Sequence, residues 1–382
     1  MPQQADAERP KARRVDFFHA TSCRLSMKNW FNEDIYRRSA TQLAGLHARF
    51  DAERFINHVL EGLNERELMA RLHRTAEAFH LALSLSFAEQ LDVLRAHAPQ
   101  IGHNFVGIWP SAHVAAHGLD RSELALPALR DLTRHGSAEF AIRPFLVRDL
   151  TGTLAVLREW AKSDDEHVRR LASEGSRPRL PWGLRLQALV ADPSPTLPLL
   201  NALRTDPSLY VRKSVANHLN DIAKDHPEFV LDSVADWNRS DARTAWIVKH
   251  GLRTLVKKGH TRALTMFGAG AKAKIEATLS ARPQRIHLGD TIAFSVSLTS
   301  TSRRPQQLIV DYVVHYARAS GRASEKVFKW TTLTLAPGET IELEKHQPFR
   351  DFSIRKHHPG KHLVELQVNG QRLARTEFML QN

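Results

Sequence analysis

The segment that decides the fold of this chain is Asp164–Trp182, DDEHVRRLASEGSRPRLPW, which has a counterpart in Asp206–Glu228, DPSLYVRKSVANHLNDIAKDHPE. Both begin with acidic or turn-forming residues, continue with a Val-Arg pair and then present an apolar helical face. The valines of the two pairs, Val168 and Val211, are 43 residues apart. HEAT-type helical repeats have periods of roughly 40–47 residues. The two segments therefore predict an α-solenoid.

The helical pattern extends well beyond these two segments. Apolar residues keep a helical spacing from Asn29 to about Gly259, with prolines and glycines between successive periodic stretches. Ser163–Glu166 is typical of a capped helix start. Asp206–Pro207 predicts another, with Asp at the N-cap and Pro at the first helical position. We expect a HEAT-like repeat domain over residues 27–268, in which each helix pair packs against its neighbours.

The pattern changes after the Gly/Ala-rich stretch Met266–Lys274. Short runs of alternating apolar residues follow, separated by turn signals such as Ala336–Gly338 and His358–Gly360. About seven short strands at such spacing predict a β-sandwich of immunoglobulin-like type over residues 269–382. Residues 271–382 contain 17 Lys and Arg against 10 Asp and Glu, so this module is basic in its own right.

The bulk composition limits the classes of partner. The 382-residue chain has a formal net charge of +13, which points to an anionic partner and most simply to nucleic acid. The single cysteine, Cys23, excludes an internal disulfide framework. No apolar run reaches the roughly 18 residues of a membrane span. We expect a monomeric cytoplasmic protein whose residues 1–26 form a disordered tail.

Three carboxylates stand where a helical repeat needs only small or apolar residues. We expect Glu139 at the start of a helix, Glu174 at the end of the Val168 helix and Asp221 on the helix begun at Asp206. Corresponding positions of successive repeats stack on one face, so these acids are candidates for a shared site. The alternative is that each one caps a helix or pairs with a nearby arginine such as Arg143, Arg170 or Arg212.

Trp182 is the aromatic candidate. It follows a Pro- and Arg-rich loop instead of continuing a helical stripe. One interpretation is packing between repeats. The other is a platform that stacks on a sugar or faces a cationic base.

Basic residues are numerous along the helices and in the predicted loops of the sandwich. A surface lined in this way would neutralise phosphates and bind with a strong salt dependence. The candidate DNA contacts are Arg177, Arg179, Arg212, Lys213, Arg243, Lys249, Arg253, Lys257, Arg303, Arg304, Arg355 and Lys356.

Several motifs are missing from the sequence. It contains no GxxxxGK[ST] loop, no HExxH and no CxxC, and its 21 histidines are scattered. We therefore predict neither a metal nor a cofactor.

Taken together, these segments resemble a known family, the AlkC branch of the HEAT-like DNA alkylation-repair glycosylases, which also include AlkD. The similarity covers about Lys28 to Gly270. It rests on the motifs Met27–Phe31 (MKNWF), Ser137–Phe145 (SAEFAIRPF), His167–Trp182 and Val211–Asp221. Some members of this branch also have an appended immunoglobulin-like domain.

The resemblance implies a function and assigns residues to it. The family excises N3-methylated bases from double-stranded DNA, chiefly 3-methyladenine and in this branch 3-methylcytosine, without flipping the base. By this resemblance Glu139, Glu174 and Asp221 occupy the acidic active-site positions and Trp182 the aromatic one. The alternatives from the residues alone are a non-catalytic DNA-binding scaffold and a protein-interaction module.

Overall fold

The computed structural model describes residues 27–270, 272–318, 324–351 and 356–381. The tail predicted over residues 1–26 and the candidate contact Arg355 lie outside the described residues. Helices occupy the chain as far as Thr265, and strands occupy it from Ile275 onward. The predicted order of a helical solenoid followed by an immunoglobulin-like sandwich is confirmed.

The helical part is built from short antiparallel helices. In chain order they are α1 (Glu33–Leu46), α2 (Ala52–Leu60), α3 (Leu68–Ala82), α4 (Phe87–Ile101), α5 (Trp109–His117), α6 (Ser122–Leu132), α7 (Arg143–Arg148), α8 (Leu150–Trp160), α9 (Glu166–Gly175), α10 (Gln187–Ala191), α11 (Leu197–Ala202), α12 (Leu209–Ile222), α13 (Pro227–Ala235), α14 (Ala242–Gly251), α15 (Arg253–Lys257) and α16 (Thr261–Thr265). Among the described residues, every helix is too short or too polar to traverse a bilayer.

The two Val-Arg segments form α9 and α12, which pack against each other, and α12 packs in turn against α14. Their buried faces include Val168 and Leu171 on α9 and Val211 and Val215 on α12. Full burial of each such side chain stabilises the fold by about 1.5–3 kcal/mol. An ion pair also joins the repeats, since Arg169 Nε lies 2.7 Å from Asp206 Oδ2.

One predicted helix start is confirmed and one is wrong. Asp165 caps α9 and accepts from the amides of His167 and Val168. The cap of α12 is Ser208, not Asp206. Asp206 lies two residues earlier, where its carboxylate accepts from the Ser208 amide and pairs with Arg169. The ion pair with Arg169 of the neighbouring repeat thus outweighs the local Asp-Pro signal.

The strands of the C-terminal part are β1 (Ile275–Arg282), β2 (Arg285–His287), β3 (Thr291–Ser300), β4 (Gln306–Tyr316), β5 (Ser324–Leu335), β6 (Thr340–Pro348), β7 (Gly360–Val368) and β8 (Gln371–Gln381). They form a three-stranded sheet in the order β1-β3-β6 and a five-stranded sheet in the order β2-β8-β7-β4-β5. Phe294 of one sheet contacts Tyr312 of the other in the core, with ring centroids 5.6 Å apart.

The sandwich contacts the end of the solenoid directly. Ile309 of β4 is buried in a cluster with Leu264 and Ala269. The Gln367 amide donates to the Lys257 carbonyl over 2.9 Å. These contacts hold the two parts against each other.

Candidate active site

The structure brings the three predicted carboxylates together. Glu139 lies in the turn before α7 and not at a helix start, Glu174 lies at the end of α9, and Asp221 lies in the last turn of α12. Cations lie between them, and together they form a chain of alternating charge that we call the acid ladder. Its members, in order, are Glu139, Arg170, Glu174, Arg177, Asp221 and Lys224.

The centre of the ladder is Arg177. Its Nη1 donates to Glu174 Oε1 over 2.6 Å, and its Nε donates to Asp221 Oδ2 over 2.8 Å. Because Arg177 follows α9 while Asp221 lies on α12, this arginine fixes the acids of two successive repeats relative to each other. A planar guanidinium has the donors in a fixed fork that such bridging requires.

Arg170 and Lys224 complete the two ends. Arg170 pairs with Glu139 and lies 3.4 Å from Glu174 Oε1. Its guanidinium also lies over the ring of Tyr210, 5.1 Å from the centroid. At the other end, Lys224 Nζ donates to Asp221 Oδ1 over 2.9 Å.

The pattern of contacts distinguishes the acidic oxygens. Both ladder cations that reach Glu174 come closest to it at Oε1. Asp221 has a cation on each oxygen. The exposed fraction of the side chain falls from 15% at Glu139 to 7% at Glu174 and 3% at Asp221.

The surrounding charges keep Glu174 ionised. Burial raises the pKa of a carboxyl, but Arg170 and Arg177 outweigh it and lower the pKa of Glu174 below its ordinary value. An ionised carboxylate in a site of low dielectric stabilises a developing positive charge strongly, because little water screens it.

A fully buried arginine fixes the loop that follows Glu174. The Arg143 Nη1 donates to the Gly175 carbonyl over 2.7 Å, and its Nε donates to the Leu184 carbonyl. Burial lowers the pKa of Arg143 to about 10. Gly175 is required at this point, since a Cβ there would lie 2.4 Å from Ile142 Cγ2.

Trp182 projects from this loop into solvent. Its φ is +62°, in the left-handed region, and the residue is 62% exposed. Packing between repeats would have buried the ring, so that interpretation is wrong. Its edge meets Phe105, with centroids 6.3 Å apart, and Phe105 also contacts the exposed Trp30. These three residues form an aromatic cluster beside the loop.

The eleven candidate phosphate contacts among the described residues fall into four groups. Exposed cations are Lys213, Lys249, Arg303, Arg304 and Lys356. Cations with partners on the protein are Arg179 with Asp225, Arg212 with the Asp206 carbonyl, Arg243 with Asp241 and Arg253 with Asn217. Lys257 is half-buried. Arg177 differs from the expectation, since its buried guanidinium orients acids and does not face solvent.

Sequence reasoning missed several members of the site. Arg170 entered it only as a pairing partner, and Lys224 did not enter it, although its spacing of three from Asp221 on a helix is a readable signal. Phe105 and Trp30 are distant from Trp182 in sequence, so no local pattern connects them.

Comparisons with known proteins identify the family of the chain. The family model described as "DNA alkylation repair enzyme" matches residues 133–255, which include the acid ladder. The model for the C-terminal Ig-like domain of the uncharacterised protein YhaZ matches residues 276–382. YhaZ of Bacillus subtilis (strain 168) is 38% identical over 347 residues, which cover 90% of this chain and 96% of YhaZ.

A solved structure is similar over nearly the whole length. It is that of the Pseudomonas fluorescens alkylpurine DNA glycosylase AlkC bound to DNA containing an abasic-site analog. It is 44% identical, covers 94% of this chain and all of its own, and superposes with a TM-score of 0.89. The family model and this similarity together show that the chain is a DNA alkylation-repair enzyme. Within that class, the chain belongs to the AlkC branch.

Proposed function

We propose that this chain is a DNA glycosylase of base excision repair that hydrolyses the N-glycosidic bond of cationic N3-methylated bases. Its substrates are 3-methyladenine and 3-methylcytosine in double-stranded DNA. The observation that supports this most directly is the acid ladder, which gathers Glu139, Glu174 and Asp221 from three successive repeats.

Cleavage of the N-glycosidic bond of a cationic base is a reaction that a cluster of ionised carboxylates can promote. An N3-methylated base in DNA already has a positive charge, so it leaves with little help from a general acid. Its departure leaves an oxocarbenium-like sugar, as in glycoside hydrolysis. Ionised carboxylates beside that sugar lower the barrier electrostatically. The arginines hold Glu174 in the ionised form that this role requires.

The attacking water needs a carboxylate oxygen within hydrogen-bond reach. The ladder's cations approach Glu174 most closely at Oε1, which leaves Oε2 as the candidate acceptor. Asp221 Oδ1 becomes available when Lys224, whose side chain is 44% exposed, moves away. Either oxygen can accept a proton from water, and the resulting sugar carries a hydroxyl at C1′.

The exposed Trp182 supplies the aromatic contact. Its ring would pack on the deoxyribose or face the cationic base through cation–π attraction. Because Trp182 lies on an open surface, we propose that the lesion remains in the duplex during cleavage. Phosphates would be held by the exposed cations Lys213, Lys249, Arg303, Arg304 and Lys356. A repair enzyme of chromosomal DNA would work at the nucleoid.

The test is a base-release assay on duplexes that contain 3-methyladenine or 3-methylcytosine, in buffer with a chelator and no nucleotide. We expect free base and an alkali-labile abasic site in equal amounts. Salt-sensitive duplex binding without release would support a non-catalytic scaffold instead. Failure to bind duplex DNA at low salt would favour a protein-interaction module.

A further inference from the structure

Three histidines meet between two helices of the N-terminal part. His80 lies at the end of α3, and His113 and His117 lie four residues apart on α5. One ligand atom from each lies within 4.8 Å of the other two. Residues four apart occupy the same face of a helix, so α5 presents a pair of imidazoles to the third ring on α3.

Hydrogen bonds favour one tautomer of two of these rings. His113 Nδ1 lies 3.4 Å from the Ala76 carbonyl, and His113 Nε2 is buried without a hydrogen-bond partner. His80 Nδ1 lies 3.3 Å from Gln90 Oε1, and Gln90 donates its own amide to the Leu83 carbonyl. Both rings thus use Nδ1–H for an oxygen acceptor and present the lone pair of Nε2. A metal-ligating histidine typically has such an outer partner.

A metal ion would satisfy a buried nitrogen of this cluster. The fully buried His113, 0% exposed, would otherwise leave a polar nitrogen unsatisfied at a cost in stability. His117 is the last residue of α5, where the helix dipole favours a cation.

We infer that His80, His113 and His117 form a binding site for one borderline transition-metal ion, such as Zn²⁺, which joins α3 to α5. Three imidazoles and a water make a tetrahedral nitrogen site of the kind that Zn²⁺ takes. Zn–N bonds of about 2.1 Å place tetrahedral ligands about 3.4 Å apart. The exposed His80 ring, now stacked on His117 with centroids 3.9 Å apart, would rotate to close the remaining gap.

Access to the site is open. A surface depression of about 580 Å³, lined by Arg49, Glu89 and Gln90 among others, reaches His80. An ion can therefore reach the His80 ring from solvent. The site shares no residue with the acid ladder, so its role is to hold two repeats together and not to assist base release.

The test uses the full chain without an affinity tag, stripped with a chelator and titrated with Zn²⁺ by calorimetry. We expect one Zn²⁺ per chain and a higher melting temperature of the zinc-bound protein. Binding to the native state stabilises in proportion to the logarithm of metal concentration over Kd. Co²⁺ should give the visible absorption of a tetrahedral nitrogen site.

His80→Ala and His117→Ala should each weaken Zn²⁺ binding by at least about 10-fold, the lower end of the effect of losing even an outer partner of a metal ligand. They should also abolish the thermal shift. The matched control is His73→Ala, an exposed histidine on α3 outside the cluster, which should bind as the wild type does. No binding near one equivalent, or equal binding by all three variants, would overturn the assignment. Base release measured in the same variants separates this result from the proposed function.

Discussion

Arg177 provides a sharp test of the acid ladder, because its side chain is 8% exposed and lies between Glu174 and Asp221. The change Arg177→Met removes the guanidinium and keeps an unbranched stem. If the ladder is a device for orienting acids, this change should impair chemistry and folding while leaving the contacts to DNA phosphates intact.

The expected magnitude follows from the contacts that Arg177 makes. It donates to Glu174 over 2.6 Å and to Asp221 over 2.8 Å. Breaking a buried ion pair by removing one partner costs about 3–5 kcal/mol, and we expect the free energy of unfolding to fall by about that amount. We expect the single-turnover rate at saturating protein to fall about 10²–10³-fold, the effect of losing one preorganised electrostatic group.

The assay combines single-turnover base release with duplex affinity measured at several salt concentrations. Each phosphate contact contributes about 0.9 to the slope of log affinity against log salt. Arg177→Met should leave this slope unchanged. The control Lys213→Met removes an exposed cation of the next repeat and should lower the magnitude of the slope by about 0.9, with the saturated rate unchanged.

The opposite outcome would refute the reasoning. If Arg177→Met lowered the slope by about 0.9 and left the saturated rate intact, Arg177 would be a phosphate contact. Arg177→Lys, which keeps the charge, should recover part of the lost rate and so separate the loss of activity from a failure to fold.

Three further predictions concern other parts of the molecule. Trp182→Ala should slow base release about 5–150-fold, because stacking on a base or sugar contributes about 1–3 kcal/mol. The free energy of unfolding should change by less than about 0.5 kcal/mol, because the residue is exposed. An unchanged rate of base release would show that Trp182 is not part of the active site. The free energy of unfolding should decline as pH falls from about 6.5 toward about 4. The decline is about 1.4 kcal/mol per pH unit for each buried histidine of depressed pKa, since the unfolded chain binds these protons first. Denaturant midpoints at several pH values measure this decline, and a midpoint that does not change with pH would contradict it. Burial lowers the pKa most strongly at His97, to about 4, His113, to about 3, and His218, to about 4. Gly370→Ala should weaken the contact between the sandwich and the solenoid, because its Cβ would lie 2.3 Å from the Gly259 Cα. Proteolysis of the segment that connects the two parts should be faster than in the control Gly338→Ala, where the glycine has a similar positive φ but open space around it. Equal rates of proteolysis in the two variants would refute this prediction.

The sequence was sufficient for the architecture because the repeat signals are local. Val168 and Val211 mark equivalent helices, and period-two alternation marks the strands. Where the local signal competed with a tertiary contact, the prediction was wrong: Asp206 reads as an N-cap but pairs with Arg169 of the preceding repeat, and Ser208 takes the cap.

The candidate active site was harder to predict from the sequence than the fold was. Repeat stacking indicated that Glu174 and Asp221 share a face, but not that Arg177 lies between them, because the direction in which a side chain leaves a helix end depends on the next repeat. The histidine cluster could not be predicted from the sequence for a similar reason. His80 and His113 are 33 residues apart and meet only because α3 packs against α5.

The central claim is that carboxylates of the acid ladder perform the hydrolysis, and the most direct measurement is single-turnover release of 3-methyladenine by Glu174→Gln and Asp221→Asn. Each change keeps the side chain's shape and removes its charge. We predict rates at least about 10²-fold below that of the wild type, with affinity for duplex DNA that contains an abasic-site analog kept or raised. Full activity in both variants would contradict the account.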